Sequence, residues 1–226
     1  MLRIGLLFPD LLGTYGDGGN ALALQWRAQA RGERVEVVTT SVGESLVDAD
    51  IYLLGGGEDG PQRLAAEQLR ASGFAQRLAD GAHCLAVCAG LQILGTSFAV
   101  EGNDHYEGLG VVDAVTTRGE TRAVGDMLIS TAHGDAVGFE NHGGRTSLGS
   151  GCTAMGRVRV GVGNDGDVDG YRHLNIIATY AHGPVLALNP WLADELLSAA
   201  LGRALEPLAS VADDLYAARI AAMKGA

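Results

Sequence analysis

Cys88 lies in the run Cys84-Leu85-Ala86-Val87-Cys88-Ala89-Gly90-Leu91-Gln92-Ile93-Leu94-Gly95. A short apolar strand there enters a small-residue turn, and an apolar helix follows. This is the form of a nucleophile elbow, in which small neighbours let a strained backbone raise the nucleophile clear of the sheet. A thiol at that junction faces a helix N-terminus, which is expected to lower its pKa. Nearly a hundred residues later, Thr179-Tyr180-Ala181-His182-Gly183-Pro184 puts a histidine at the end of another predicted strand. A cysteine and a histidine at two strand ends suit covalent acyl chemistry, with the imidazole activating the thiol. Cys84 lies four residues earlier, inside the strand, and reads as core.

Other residues compete for roles. Of the remaining histidines, His83, His105, His133, His142 and His173 fall beside turns, glycines or acids and read as surface or turn positions. Gly55-Gly56-Gly57 follows a predicted strand, and backbone N–H groups in such a turn can bind a developing oxyanion. Gly16-Asp17-Gly18-Gly19-Asn20-Ala21 fits G-x-G-x-x-A, but it stands too far from the first strand for the tight turn of a dinucleotide fingerprint. His83, Cys84 and Cys88 lack a second ligand pair at structural spacing, so no metal site is expected.

Composition narrows the chemistry further. The 226 residues are 47% hydrophobic, enough for a sizeable core, and the formal charge is −11. Such a surface repels phosphate backbones and anionic lipid, so neither nucleic acid nor direct membrane insertion is expected. No apolar run approaches the roughly 20 residues of a membrane span. Three cysteines favour a reducing, cytoplasmic location over a disulfide scaffold. The only lysine is Lys224. A lysine-containing phosphate loop and a core Schiff base are therefore excluded, and any ATP-driven step must belong to another chain.

The elements that must position these residues alternate. Strands are predicted over 3–8, 35–40, 51–54, 84–87 and 176–180. Helices are predicted over 18–30, with Leu22, Trp26 and Ala30 on one face, over 61–79 as one segment, over 191–205 after an Asn189 cap, and over 208–223. This alternation implies an α/β fold, mainly a parallel sheet with helices on both faces. From about Gly102 the pattern shifts to shorter strands, 108–115, 127–131 and 136–140, joined by glycine turns. Residues 161–170 read as an exposed loop. The expected organisation is a single domain over 1–226, with a core to about 205 and a helical extension from about 206.

Ala86-Val87-Cys88-Ala89-Gly90-Leu91-Gln92 resembles the nucleophile motif of class I glutamine amidotransferases, with Ala86 in place of the usual glycine. Gly55-Gly56-Gly57 resembles their oxyanion turn, and Tyr180-Ala181-His182-Gly183-Pro184 their cobyric acid synthase-like branch. Thr14 to Asn20, and above all Phe139-Glu140-Asn141-His142-Gly143-Gly144-Arg145-Thr146, are similar to the glutamine-hydrolysing subunits of lipid II isoglutaminyl synthases within that branch. The resemblance implies a flavodoxin-like fold and hydrolysis of L-glutamine. Cys88 and His182 would be catalytic, Gly55 and Ala89 would donate to the oxyanion, and Gln92, Gly57 and Arg122 would contact glutamine. It implies no cofactor in this chain. A Mur-ligase-like subunit, MurT, would form the heterodimer, use ATP and Mg, and reach lipid II. A subunit amidating cobyrinate or another acceptor, or a non-catalytic binding subunit of the same fold, stays open. Family members often carry an acid two residues after the histidine. Pro184 stands there, so a carboxylate from the partner is expected, with Asp17 as an internal candidate.

Overall fold

The computed structural model describes residues 1–100 and 104–225. The expected change of pattern at about Gly102 falls outside the described set. Strands β1 (Leu2–Leu7), β2 (Val35–Thr40), β3 (Ile51–Leu54), β4 (His83–Val87) and β12 (Ile176–Thr179) run parallel, and β11 (Tyr171–His173) pairs antiparallel at the edge. Their order is β11-β12-β4-β3-β1-β2. All four residues of β3 are buried, as a central strand flanked on both sides requires, whereas β2 at the edge is mostly half-buried or exposed. The parallel strands end together on one side, where the chain must turn back into helices. In open α/β sheets that carboxyl edge is where ligands sit.

A second sheet stands beside this core. It contains β5 (Ser97–Ala99), β6 (His105–Glu107), β7 (Ala114–Ser130), β8 (Asp135–Leu148), β9 (Gly156–Val160) and β10 (Val168–Asp169). The strand order is β10-β9-β7-β5-β6, with β8 on β7. The short strands expected at 127–131 and 136–140 are parts of one long hairpin of β7 and β8, whereas of the strand expected at 108–115 only Ala114 and Val115 are strand, at the start of β7. The hairpin register slips between Arg118 and Ala123, a bulge that brings Arg122 into an irregular stretch of strand.

The helices are α1 (Gly19–Gln29), α2 (Asp59–Ala71), α3 (Phe74–Ala79), α4 (Ala89–Leu94), α5 (Val185–Leu188), α6 (Pro190–Leu201) and α7 (Val211–Lys224). Four expectations need correction. The single helix over 61–79 is two helices, broken where Gly73 adopts φ 75°. The Leu22 and Trp26 face of α1 points outward, at 66% and 51% exposure, while Ala21, Leu24 and Ala28 meet the core. Asn189 does not cap α6 with its side chain. Its carboxamide accepts from Val137 N–H at 2.8 Å and donates to the Val137 carbonyl at 2.7 Å, tying the helix to β8. Residues 161–170 hold fully buried Asn164 and Asp169. Asp169 accepts from Thr179 Oγ1 at 2.5 Å and from Tyr180 N–H at 3.1 Å, so this segment clamps the end of β12 just before His182.

Helix α7 has no buried residue. Polar contacts hold it, including Tyr216 Oη donating to the Asp135 carbonyl at 2.7 Å. Beneath it, Asp194 of α6 accepts two bonds of 2.6 Å from Arg27, whose side chain is 4% exposed, and bonds of 3.0 and 2.8 Å from Arg31. Removing the acid leaves Arg31 without its carboxylate and the shielded Arg27 with only Asp213, 3.5 Å away. Asp194→Ala is therefore expected to destabilise the fold by about 3 kcal/mol, read as a lowered urea midpoint at unchanged slope.

Candidate active site

Cys88 occupies the junction of β4 and α4 with φ 50° and ψ −102°, a conformation that non-glycine residues rarely adopt. Strain at this turn has the form expected of a nucleophile elbow. The Cys88 N–H bonds the Thr179 carbonyl at 2.9 Å, which links the elbow to the end of β12. Cys88 is 5% exposed and lies on a cavity of about 360 Å³ at the carboxyl edge of the parallel sheet. The expected low thiol pKa is not found. Burial dominates and Asp17 adds to it, so the thiol is pushed up to about 12 despite the Ala89 N–H and Arg122. Helix α4 has only six residues, too little dipole to offset that burial. The thiol is protonated at neutral pH and needs a base.

His182 is fully buried. Its Nδ1 stands 3.4 Å from Asp17 Oδ2, and the same oxygen accepts from Gly56 N–H at 2.8 Å. Asp17, the internal candidate for the third acid, thus stands beside the imidazole. The segment between β1 and α1 folds beneath the glycine turn, and the Gly56 amide fixes its carboxylate against the imidazole. The 3.4 Å contact is long, and catalytic contacts of this kind tighten with substrate bound. A carboxylate can only accept, so this contact calls for the tautomer with its hydrogen on Nδ1. Nε2 is buried without a partner among the described residues, as a nitrogen reserved for a travelling proton would be. Tyr15 lies over the ring with centroids 4.4 Å apart, and Phe139 stacks at 5.5 Å. Gly56 must be glycine, since a Cβ there would come within 2.5 Å of His182 Cε1.

The structure brings Gly57, Gln92 and Arg122 to the cavity wall with Cys88, but Gly55 does not line it. Gly55 packs against Leu12, whose carbonyl oxygen a Cβ would meet at 2.0 Å. Ala89 is buried behind the nucleophile, with its N–H on the thiol. Arg122 Nε donates to Asn141 Oδ1 at 2.6 Å, and an Nη2 hydrogen goes to Tyr15 Oη at 3.2 Å. Gln92 is locked at both ends, accepting from Gln62 Nε2 at 2.8 Å and donating to Tyr180 Oη at 3.1 Å. His142, expected at a surface or turn, is instead buried in the wall and bonded to Glu140. Its flanking glycines are the reason it reads as a turn, although the backbone there continues as strand. Tyr15 and Asn141 lie inside two of the segments that carry the resemblance, without a role assigned to them there, and Gln62 stood outside every motif.

A strained thiol and an arginine lie on the cavity; the imidazole, backed by a carboxylate, is not part of its lining, and its Nε2 makes no hydrogen bond to the thiol. Such a set can attack a carboxamide carbon and hold an anionic group at the other end of the same molecule. The sequence profile of the CobB/CobQ-like glutamine amidotransferase domain matches residues 3–190. The lipid II isoglutaminyl synthase (glutamine-hydrolyzing) subunit GatD of Staphylococcus aureus (strain N315) is 37% identical over 209 residues, 89% of this chain and 85% of that protein. The subunit of the same name from Streptococcus pneumoniae (strain ATCC BAA-255 / R6) is 34% identical, covering 88% of this chain and 80% of that one. A crystal structure of a glutamine amidotransferase superposes with a TM-score of 0.61 at 20% identity, over 87% of this chain and 98% of the other, and so shares the fold.

Proposed function

The chain belongs to the CobB/CobQ-like glutamine amidotransferases, and from that premise we propose that it is the glutamine-hydrolysing subunit of a lipid II isoglutaminyl synthase. The two GatD relatives, each matched over four fifths or more of its length, carry this reading. Cys88 Sγ passes its proton to His182 Nε2 and attacks the side-chain amide carbon of L-glutamine. The tetrahedral oxyanion forms beside the Ala89 N–H and the glycine turn, where Gly57 rather than Gly55 faces the cavity. Ammonia leaves with the proton from His182, and water then releases glutamate from the thioester. Asp17 stabilises the imidazolium between these steps.

The ammonia is consumed elsewhere. A chain whose only lysine is Lys224 has no lysine-based ATP loop. A cytoplasmic Mur-ligase-like partner of the MurT kind would use ATP and Mg to activate the D-glutamate carboxylate of the stem peptide, which ammonia converts to D-isoglutamine. The test is glutamine-dependent amidation of lipid II by the two chains together. Failure of the purified pair to amidate lipid II with glutamine, while it does so with ammonium salt, would remove this chain from the reaction.

Recognition of the amino-acid end is assigned to Arg122, as a carboxylate clamp. That contact exists in ground state and transition state alike. Arg122→Ala is expected to raise KM for glutamine about ten- to a hundredfold at nearly constant kcat. Steady-state glutaminase assays decide it, and an unchanged KM would make Arg122 a surface residue.

A further inference from the structure

Glu140 and His142 lie two positions apart on the buried face of β8, and the chemistry above uses neither. Their side chains are 2% and 1% exposed. His142 Nε2 stands 3.1 Å from Glu140 Oε2, and Nδ1 stands 3.1 Å from the carbonyl oxygen of Gly144. A carbonyl oxygen can only accept. Glu140 also accepts from Val162 N–H at 2.7 Å and Gly163 N–H at 2.9 Å. Each carboxylate oxygen thus already takes a backbone N–H, Oε1 from Val162 and Oε2 from Gly163, which is the arrangement of an ionised acceptor. The carboxylate is therefore an acceptor too. With acceptors on both sides, both ring nitrogens must donate.

The surroundings show what such a cation would hold. Its ring stacks on Tyr180, with centroids 3.8 Å apart and planes at 17°. Tyr180 Oη takes the Gln92 amide at 3.1 Å and shares a hydrogen bond of 2.7 Å with Thr146. Between the two charged residues, Asn141 holds Arg122 at 2.6 Å. Arg122 and Gln92, the two side chains assigned to glutamine, therefore both depend on this short stretch of β8. An apolar pair would fill the same space, but it would not fix the rotation of Tyr180 or the height of Asn141. Directional buried charges do.

We propose that Glu140 and His142 form a buried carboxylate–imidazolium pair that positions Arg122, through Asn141, and Gln92, through Tyr180, for glutamine binding. They are positioning residues and touch no reacting atom. The inference rests on the glutamine reading of the pocket, and its test separates the two. Nitrogen-15 NMR of the labelled chain, with the His142 signals assigned by their absence from His142→Gln, is expected to show both His142 ring nitrogens protonated at neutral pH. One unprotonated nitrogen would overturn the pair whether or not glutamine is a substrate. His142→Phe keeps the stack and loses both donors. It is expected to raise KM for glutamine about tenfold while kcat stays within about threefold. Glu140→Gln keeps the shape but turns an amide nitrogen toward a donor, and should shift KM the same way. Should His142→Phe not fold, Glu140→Gln carries the kinetic arm. An unchanged KM, or a fall in kcat at constant KM, would overturn the positioning role. Absence of glutaminase activity in the unaltered protein would instead reject the functional reading.

Discussion

Cys88→Ala is expected to abolish glutamine hydrolysis, by roughly 10⁴-fold or more, while Cys84→Ala keeps most of it. The two thiols sit on the same strand-to-helix segment, and both are buried. They differ in what they face. Cys84 lies within β4, in register with Tyr52 on one side and Ile176 on the other, fully enclosed by core. Its truncation leaves a small cavity, costing about 1 kcal/mol of stability, and does not reach the pocket. Cys88 lies on the cavity itself, and without sulfur no thioester can form. Glutaminase assays of both variants, with thermal melting as a check of folding, decide between them. Comparable losses from both would place the nucleophile elsewhere.

The second large effect concerns the base. His182→Ala is expected to slow hydrolysis at least about a hundredfold, because a thiol pushed up to about 12 cannot ionise unaided at neutral pH. Asp17→Asn isolates the charge behind it. The Gly56 amide needs an acceptor, so the new side chain must keep its oxygen toward Gly56 and His182. The imidazole keeps its tautomer and loses only the anion that stabilises its protonated form. The expected loss is about ten- to a hundredfold in kcat, smaller than that of His182→Ala. The same ratio should appear in the isolated chain and in complex with its partner. Full activity of Asp17→Asn in both would return the third acid to the partner chain.

The parallel sheet was readable because burial on both faces leaves uninterrupted apolar runs, such as Ile51 to Leu54 and Leu85 to Val87. The same logic exposed Cys88, since a small-residue turn after such a run has few other uses. The long hairpin was not readable. Its strands contain Gly119, Gly125, Gly138, Gly143 and Gly144, and glycine in a sequence signals a turn. At Gly138 the reason is close approach: a Cβ would lie 2.8 Å from Ala181 Cβ and 2.9 Å from the His182 carbonyl oxygen. Misreading that hairpin hid His142. Asp17 was visible only as a candidate, because its pairing with His182 spans 165 positions of sequence and depends on the Gly56 amide. The two faces of α1 were confused because apolar residues occur on both, and helical spacing alone does not say which face the core takes.

The enclosed, protonated state of Cys88 has a consequence for chemical durability. Peroxides and other electrophiles react with thiolates, and sulfenic acid formation follows thiolate content and access. A sulfur at 5% exposure, pushed up to about 12, offers little of either. In the proposed mechanism His182 takes the thiol proton only when a carboxamide is in place to receive the sulfur. The nucleophile is thereby kept from oxidants that never engage Arg122 or the glycine turn. The half-buried Cys152, bonded to the Asp113 carbonyl at 3.4 Å, is committed elsewhere in the fold.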